Sequence, residues 1–158
     1  MSATPTTPTE GQPAPDFRLP ATGGVTIARD DFAGKQSIVL YFYPQDDTPG
    51  CTKEACGFRD LTGQFAEAGA AILGVSPDDV DSHEQFTRKF GLPFPLLADF
   101  HPKGAVAEAY GVFNAERGNA RRVTFIIDEQ GIVRDMDASA AGQVPSVDLV
   151  CDMLAKVG

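Results

Sequence analysis

The stretch from Ser37 to Asp60, SIVLYFYPQDDTPGCTKEACGFRD, leaves the chain few local choices. Ile38 to Tyr43 is an unbroken run of β-branched, aliphatic and aromatic side chains, cut off at Pro44. A run that is apolar on both faces belongs in the middle of a sheet. Gln45 to Gly50 is acidic and carries a proline and a glycine, which marks a turn. From Cys51 the apolar positions Ala55, Phe58, Leu61, Phe65 and Ala68 recur at three and four, the helical period. The order is strand, tight loop, helix N-terminus, with a sulfur where the helix begins.

That position suits a reactive thiolate. The ionised form is the nucleophile, and the unpaired N–H groups and positive partial charge of a helix N-terminus favour it. Thr48, three residues ahead, brings a hydroxyl that can donate and accept. Pro44 and Pro49 stiffen the loop and remove competing N–H groups. Asp46 and Asp47 act in the opposite sense, because nearby negative charge disfavours a second anion. A cation from elsewhere in the chain is therefore expected. A polar loop of this kind also argues against apolar burial of Cys51. Cys56 follows five positions later, where an α-helix places the two Cα atoms roughly 8–9 Å apart. A disulfide needs them within about 7 Å. Either the two sulfurs never pair or the helix unwinds locally.

The rest of the chain alternates strands and helices. Phe17, Leu19, Val25 and Ile27 alternate around Gly23-Gly24 as a hairpin, and Ala70 to Ser76 is a buried strand. Asp79 to Phe90 reads as a helix with Val80, Phe86 and Phe90 inward, closed by Gly91. Leu92 to Pro95 is an extended connector and Pro102 to Tyr110 a short helix. Arg122 to Asp128 and Gly131 to Met136 form an antiparallel pair, and Val144 to Val157 a closing amphipathic helix. This pattern predicts an α/β fold with a mixed sheet flanked by helices. At 158 residues the chain fits one domain, 13–158, after a Thr- and Pro-rich tail, 1–12, that reads as disordered. That tail has no basic segment followed by an apolar core, so it is not a secretory signal. No run of about 18 apolar residues suggests a membrane span. A net charge of −9 argues against nucleic acid or an anionic membrane as partner. Three cysteines, an odd number, do not suggest a structural disulfide framework, and cytoplasmic location is expected.

Pro44-x-x-x-Thr48-x-x-Cys51 resembles the peroxidatic motif of the peroxiredoxins. The longer string YFYPQDDTPGCTKEAC is similar to the peroxiredoxin Q subgroup, also called bacterioferritin comigratory protein. The likeness continues through ILGVSPDD, FGLPFPLLAD and VTFIIDEQG, from about Pro13 onward, although Gly111 to Arg121 is shorter than in many relatives. The resemblance implies a thioredoxin-like fold and a peroxidase that acts on hydrogen peroxide and organic hydroperoxides. It implies Cys51 as the peroxidatic cysteine, with Pro44 and Thr48 of the same motif around it. Cys56 would be the resolving cysteine of an intramolecular disulfide, in which case the helix unwinds. Arg122, at the start of the RVTFIID strand, matches the family's arginine and is the candidate for the missing cation. Arg121 should point to the opposite face, into solvent. The reductant implied is thioredoxin or a similar dithiol, with no cofactor or metal, and the subgroup favours a monomer.

Two other readings use the same cysteines: a thiol–disulfide exchange protein and a redox sensor that oxidises once. The first lacks the C-x-x-C expected of a thioredoxin-like redox motif. The second is separated from a peroxidase only by turnover. His83 and His101 are expected as surface or helix-start residues rather than zinc ligands, since C-x4-C with scattered histidines is no metal spacing. Cys151 is expected to be inert on the core face of the last helix.

Overall fold

The computed structural model describes residues 7–60, 62–67, 69–100 and 103–138. Nine strands and four α-helices lie within them: β1 (Arg18–Ala21), β2 (Val25–Ala28), β3 (Ser37–Phe42), α1 (Pro49–Asp60), α2 (Thr62–Glu67), β4 (Ala70–Ser76), α3 (Val80–Phe90), β5 (Leu96–Ala98), α4 (Ala105–Ala109), β6 (Phe113–Asn114), β7 (Asn119–Ala120), β8 (Val123–Ile127) and β9 (Val133–Ala138). Seven strands form one sheet in the order β2-β1-β5-β4-β3-β8-β9. The central β3, β4 and β5 are parallel, while β8 joins β3 and β1 joins β5 in antiparallel fashion. The expected mixed sheet is present, with β3 inside it and all six of its residues buried.

Alternation along β3 divides the core in two. Ile38, Leu40 and Phe42 face Leu73, Val75, Leu97, Tyr110 and Phe125 on one side. Val39 and Tyr41, with Tyr43 beyond the strand end, face Ala55, Phe58, Phe65 and Phe86 on the other. The helices α1, α2 and α3 thus cover the face that carries Cys51. Register places Tyr41 opposite Gly74 of β4, and the Tyr41 ring crosses that strand. A Cβ at residue 74 would lie 2.9 Å from Tyr41 Cζ and Oη and 2.8 Å from Leu96 Cδ2, so the glycine is what lets the ring pass.

Where the structure departs from the expected elements, local causes are visible. The helical run expected from Cys51 to Ala68 is helical at every described residue from 51 to 67, as α1 and α2, with residues 61 and 68 outside the described set. The helix expected from Pro102 begins at Ala105, because the Asp99 carboxylate accepts the Val106 and Ala107 N–H groups and sets its first turn. A small β6–β7 hairpin, not expected, closes the Gly111 to Arg121 segment. By contrast α3 matches its expected span: Asp79 accepts the Ser82 N–H at 2.8 Å, and Gly91 ends the helix in the left-handed region at φ 62°. Of the expected N-terminal tail, residues 1–6 lie outside the described set. Gly11 N–H donates to Val133 O, and Val133 N–H donates to Gln12 O, so this stretch is held against the start of β9. The expected closing helix with Cys151 also lies outside the described residues, as does His101. No helix among the described residues is long and apolar enough to cross a membrane.

Candidate active site

At the end of β3 the Tyr43 N–H still bonds to Val75 O, at 3.0 Å, and Pro44 then ends the ladder. Asp47 turns the chain in the left-handed region, φ 56°, which a short polar side chain tolerates. The Thr48 carbonyl accepts the Thr52 N–H at 2.8 Å, which makes Thr48 the N-cap and Pro49 the first helical residue. Cys51 is therefore in the first turn of α1, as the spacing suggested. The Thr48 hydroxyl donates back to Gln45 O at 3.3 Å and closes the turn. Pro44 and Gln45 form one wall of a cleft of about 330 Å³, whose other walls include Asp78, Ser82, Phe100 and Lys103.

Cys51 is only 1% exposed and packs with Tyr41, Tyr43, Ala55 and Phe58. This corrects the expectation of polar surroundings. Although the loop before it is polar, the first turn of α1 lies on the aromatic face of β3, where the Tyr41 and Phe58 ring centroids are 4.7 Å apart. The polar contact comes from across the sheet. Arg122 Nη2 donates to Cys51 Sγ at 3.3 Å. Residues 122, 124 and 126 share one face of the β8 segment, and Ile126 packs in the same cluster as Cys51. Arg121 is exposed, as alternation required.

Cys56 is half-buried further along the same helix, and both sulfurs are free thiols. Because α1 runs through both without interruption, the separation calculated for residues five apart applies.

The loop acids have basic partners on α3 as well. Lys89 Nζ lies 2.8 Å from Asp47 Oδ2 in solvent, and His83 Nδ1 lies 2.7 Å from Asp46 Oδ2 in the interior. His83 lies in the first turn of α3, as a helix-start residue, but it is fully buried rather than on the surface. Its position in the three-and-four series with Phe86 and Phe90 was the signal that placed it inward. Asp46 also accepts from Tyr43 Oη at 2.6 Å and Ser82 Oγ at 2.8 Å. Burial, and then the Asp46 charge, push the Tyr43 phenol well above its ordinary range, so it stays a neutral donor. Asp78 Oδ2 accepts the Asp46 N–H at 2.8 Å and Ser76 Oγ at 2.6 Å.

This combination of a first-turn cysteine, an arginine on its sulfur and a proline-to-threonine loop sits in a chain whose residues 10–136 match the AhpC/TSA family. The chain belongs to that family. It is 49% identical to "Peroxiredoxin Bcp" of Bacillus subtilis over 77% of its own length and 79% of the relative. It is 42% identical to "Peroxiredoxin Q, chloroplastic" of Populus jackii, over 79% of its own length and 58% of the relative. Among solved structures, peroxidoxin BcpB of Mycobacterium tuberculosis superposes with a TM-score of 0.87 at 34% identity, covering 96% of this chain and 99% of that one. The resemblance to the Q and bacterioferritin comigratory subgroup therefore holds, the fold is thioredoxin-like, and the chain is an enzyme of the peroxiredoxin class.

Proposed function

We propose that this peroxiredoxin reduces hydrogen peroxide and organic hydroperoxides at Cys51 and resolves the product through Cys56. The observation that carries the reading is the Arg122 guanidinium at 3.3 Å from Cys51 Sγ, at the start of α1. A permanently charged group with several donors favours the thiolate and is placed to hold a peroxide oxygen as the O–O bond breaks. The thiolate attacks one oxygen, and the other leaves as hydroxide or alkoxide and is protonated to water or alcohol. Cys51 becomes a sulfenic acid. The Cys56 thiol then displaces its hydroxyl as water, forming a Cys51–Cys56 disulfide, and an external dithiol such as thioredoxin reduces it by exchange. Pro44 shapes the loop, and Thr48 holds it closed and orients the peroxide. The cycle needs no metal or organic cofactor. Since both sulfurs are in one chain, a monomer can complete it, in a compartment that supplies dithiols, such as the cytoplasm.

The test is steady-state hydrogen peroxide consumption with thioredoxin, its reductase and NADPH, on the wild type, Cys51→Ser and Cys56→Ser. Turnover should vanish in Cys51→Ser. Cys56→Ser should keep one rapid oxidation of Cys51 and lose thioredoxin-coupled turnover. Full activity in Cys51→Ser would end the proposal, and a wild type that reacts once and stalls with every dithiol would favour the sensor reading.

A further inference from the structure

His83 takes no part in the chemistry above, yet it is fully buried and both of its ring nitrogens are engaged. Nδ1 faces Asp46 Oδ2 at 2.7 Å and Nε2 faces the Leu97 carbonyl of β5 at 2.9 Å. A carbonyl can only accept, so Nε2 carries a proton. One further proton lies between Nδ1 and Asp46. With Tyr43 and Ser82 also donating to Asp46, the carboxylate has three donors on two oxygens, which suits the anion and places that proton on the ring. Wherever that proton sits, the Asp46–His83 pair has no net charge.

Asp46 lies between Pro44 and Thr48, in the loop that delivers Cys51 to the helix start. Without His83 it would be a buried, uncompensated anion there, and a thiolate would form against it. The other groups facing the pair are Asp78, whose carboxylate takes the Asp46 N–H and Ser76 Oγ, and the neutral Tyr43. Asp46, Asp78 and His83 bring ligand atoms within 4.8 Å of one another, but hydrogens from Tyr43, Ser76, Ser82 and His83 already occupy those oxygens. The cluster is a proton-filled clamp rather than a cation site.

We infer that His83 is a positioning residue for Cys51: it neutralises Asp46 and ties the Pro44-to-Thr48 loop to β5. It acts through Asp46 and touches no reacting atom. The inference builds on the peroxidase reading, but its main readout does not depend on it.

That readout is the pH profile of Cys51 alkylation by iodoacetamide, located by peptide mass, in wild type, His83→Gln, Asp46→Asn and the double variant. In His83→Gln the glutamine amide can still donate to Asp46 but brings no charge. The profile should move up by about one pH unit, the common size of one like-charge perturbation. The rate of Cys51 oxidation by hydrogen peroxide should fall with it, by up to about tenfold at pH values below the wild-type midpoint. Asp46→Asn/His83→Gln, which removes the anion as well, should return the profile to the wild-type position. A purely structural histidine would lower stability in all variants without this rescue. An unmoved profile in folded His83→Gln, or a double variant shifted as far as the single one, overturns the inference; His83→Asn serves the same comparison if glutamine does not fit. If the wild-type Cys51 does not react with peroxide, the peroxidase reading fails while the alkylation profiles still decide the role of His83.

Discussion

If the Cys51–Cys56 disulfide forms, α1 must open, and the structure says what opposes that. Cys51, Ala55 and Phe58 fall at i, i+4 and i+7 on one helix face, each 1% exposed against the aromatic layer of β3. Closing the sulfurs requires the Cα atoms to come from about 8–9 Å to within about 7 Å, so the turn between them has to unwind. Gly57 follows immediately and lies about 120° around the helix from Cys51, off the buried face. Replacing it by alanine raises helix propensity by about 1 kcal/mol. If all of that acts on the closed helix, the opening equilibrium falls about fivefold, since about 1.4 kcal/mol is tenfold. Gly57→Ala should therefore slow disulfide formation by up to about fivefold and leave the peroxide step untouched. The assay mixes reduced protein with hydrogen peroxide, quenches into an alkylating reagent at successive times and reads the masses. Sulfenic acid should accumulate longer in the variant before giving way to disulfide. A disulfide step as fast as in the wild type, in a variant shown to unfold at higher denaturant, would refute the unwinding route. Equal slowing of both steps would mean that residue 57 disturbs Cys51 directly.

Arg122→Met should lower the second-order rate of Cys51 oxidation by about 10²–10³-fold, the usual cost of losing one positioned oxyanion donor, with a small change in unfolding midpoint. Arg122→Lys should recover only part of it, because the ammonium lacks the planar fork; stopped-flow oxidation reads both, and full recovery by lysine would reduce the role to charge alone. Gly74→Ala forces a methyl against Tyr41 and Leu96 and should cost about 1–3 kcal/mol in urea unfolding; no loss would mean that the Tyr41 ring has room the packing does not show. Burial raises the Asp99 carboxyl, against the opposing bonds from Val106 and Ala107. The folded protein thus keeps a proton that the unfolded chain has released. Its contribution is full below the ordinary value of 3.8 and is lost as pH rises through the elevated one. Urea midpoints should accordingly fall with pH more steeply in the wild type than in Asp99→Asn over that window, and equal slopes would contradict the assignment.

The central strand, α3 and the Cys51 helix start were legible because local signals agreed there. Ile38 to Tyr43 could only be a buried strand, and Asp79 and Gly91 bracket α3 with cap chemistry. Arg121 and Arg122 were sorted by strand parity, and β8 delivers the second to the sulfur. What was not legible depends on contacts between distant segments. The burial of Cys51 follows from how α1 lies on the rings of Tyr41 and Tyr43, which no property of the loop residues encodes. His83 has an inward helical phase, but its partner Asp46 is 37 residues away in sequence, and only the parallel packing of β3, β4 and β5 beneath α3 brings them together. The shortening of α4 likewise rests on one carboxylate, Asp99, that no periodicity would single out.

The two halves of the site are held by different interactions, and that division matters for the proposed cycle, which would open one of them. The loop from Pro44 to Thr48 is fixed through Asp46 to α3 and, by way of Asp78 and His83, to the ends of β4 and β5. None of these bonds involves a residue of α1 after the N-cap. The first turns of α1 are held instead by apolar burial of Ala55 and Phe58 and by the Arg122 contact. In the proposed cycle, oxidation of Cys51 would replace the sulfur that Arg122 contacts by a sulfenic acid, so that grip would change at the step where the helix has to open. Unwinding of the turns between Cys51 and Cys56 would then leave intact the hydrogen-bonded loop that ends at Thr48. On reduction of such a disulfide, the same fixed loop would give α1 its starting point, and Cys51 would return to the guanidinium without any rearrangement of the sheet.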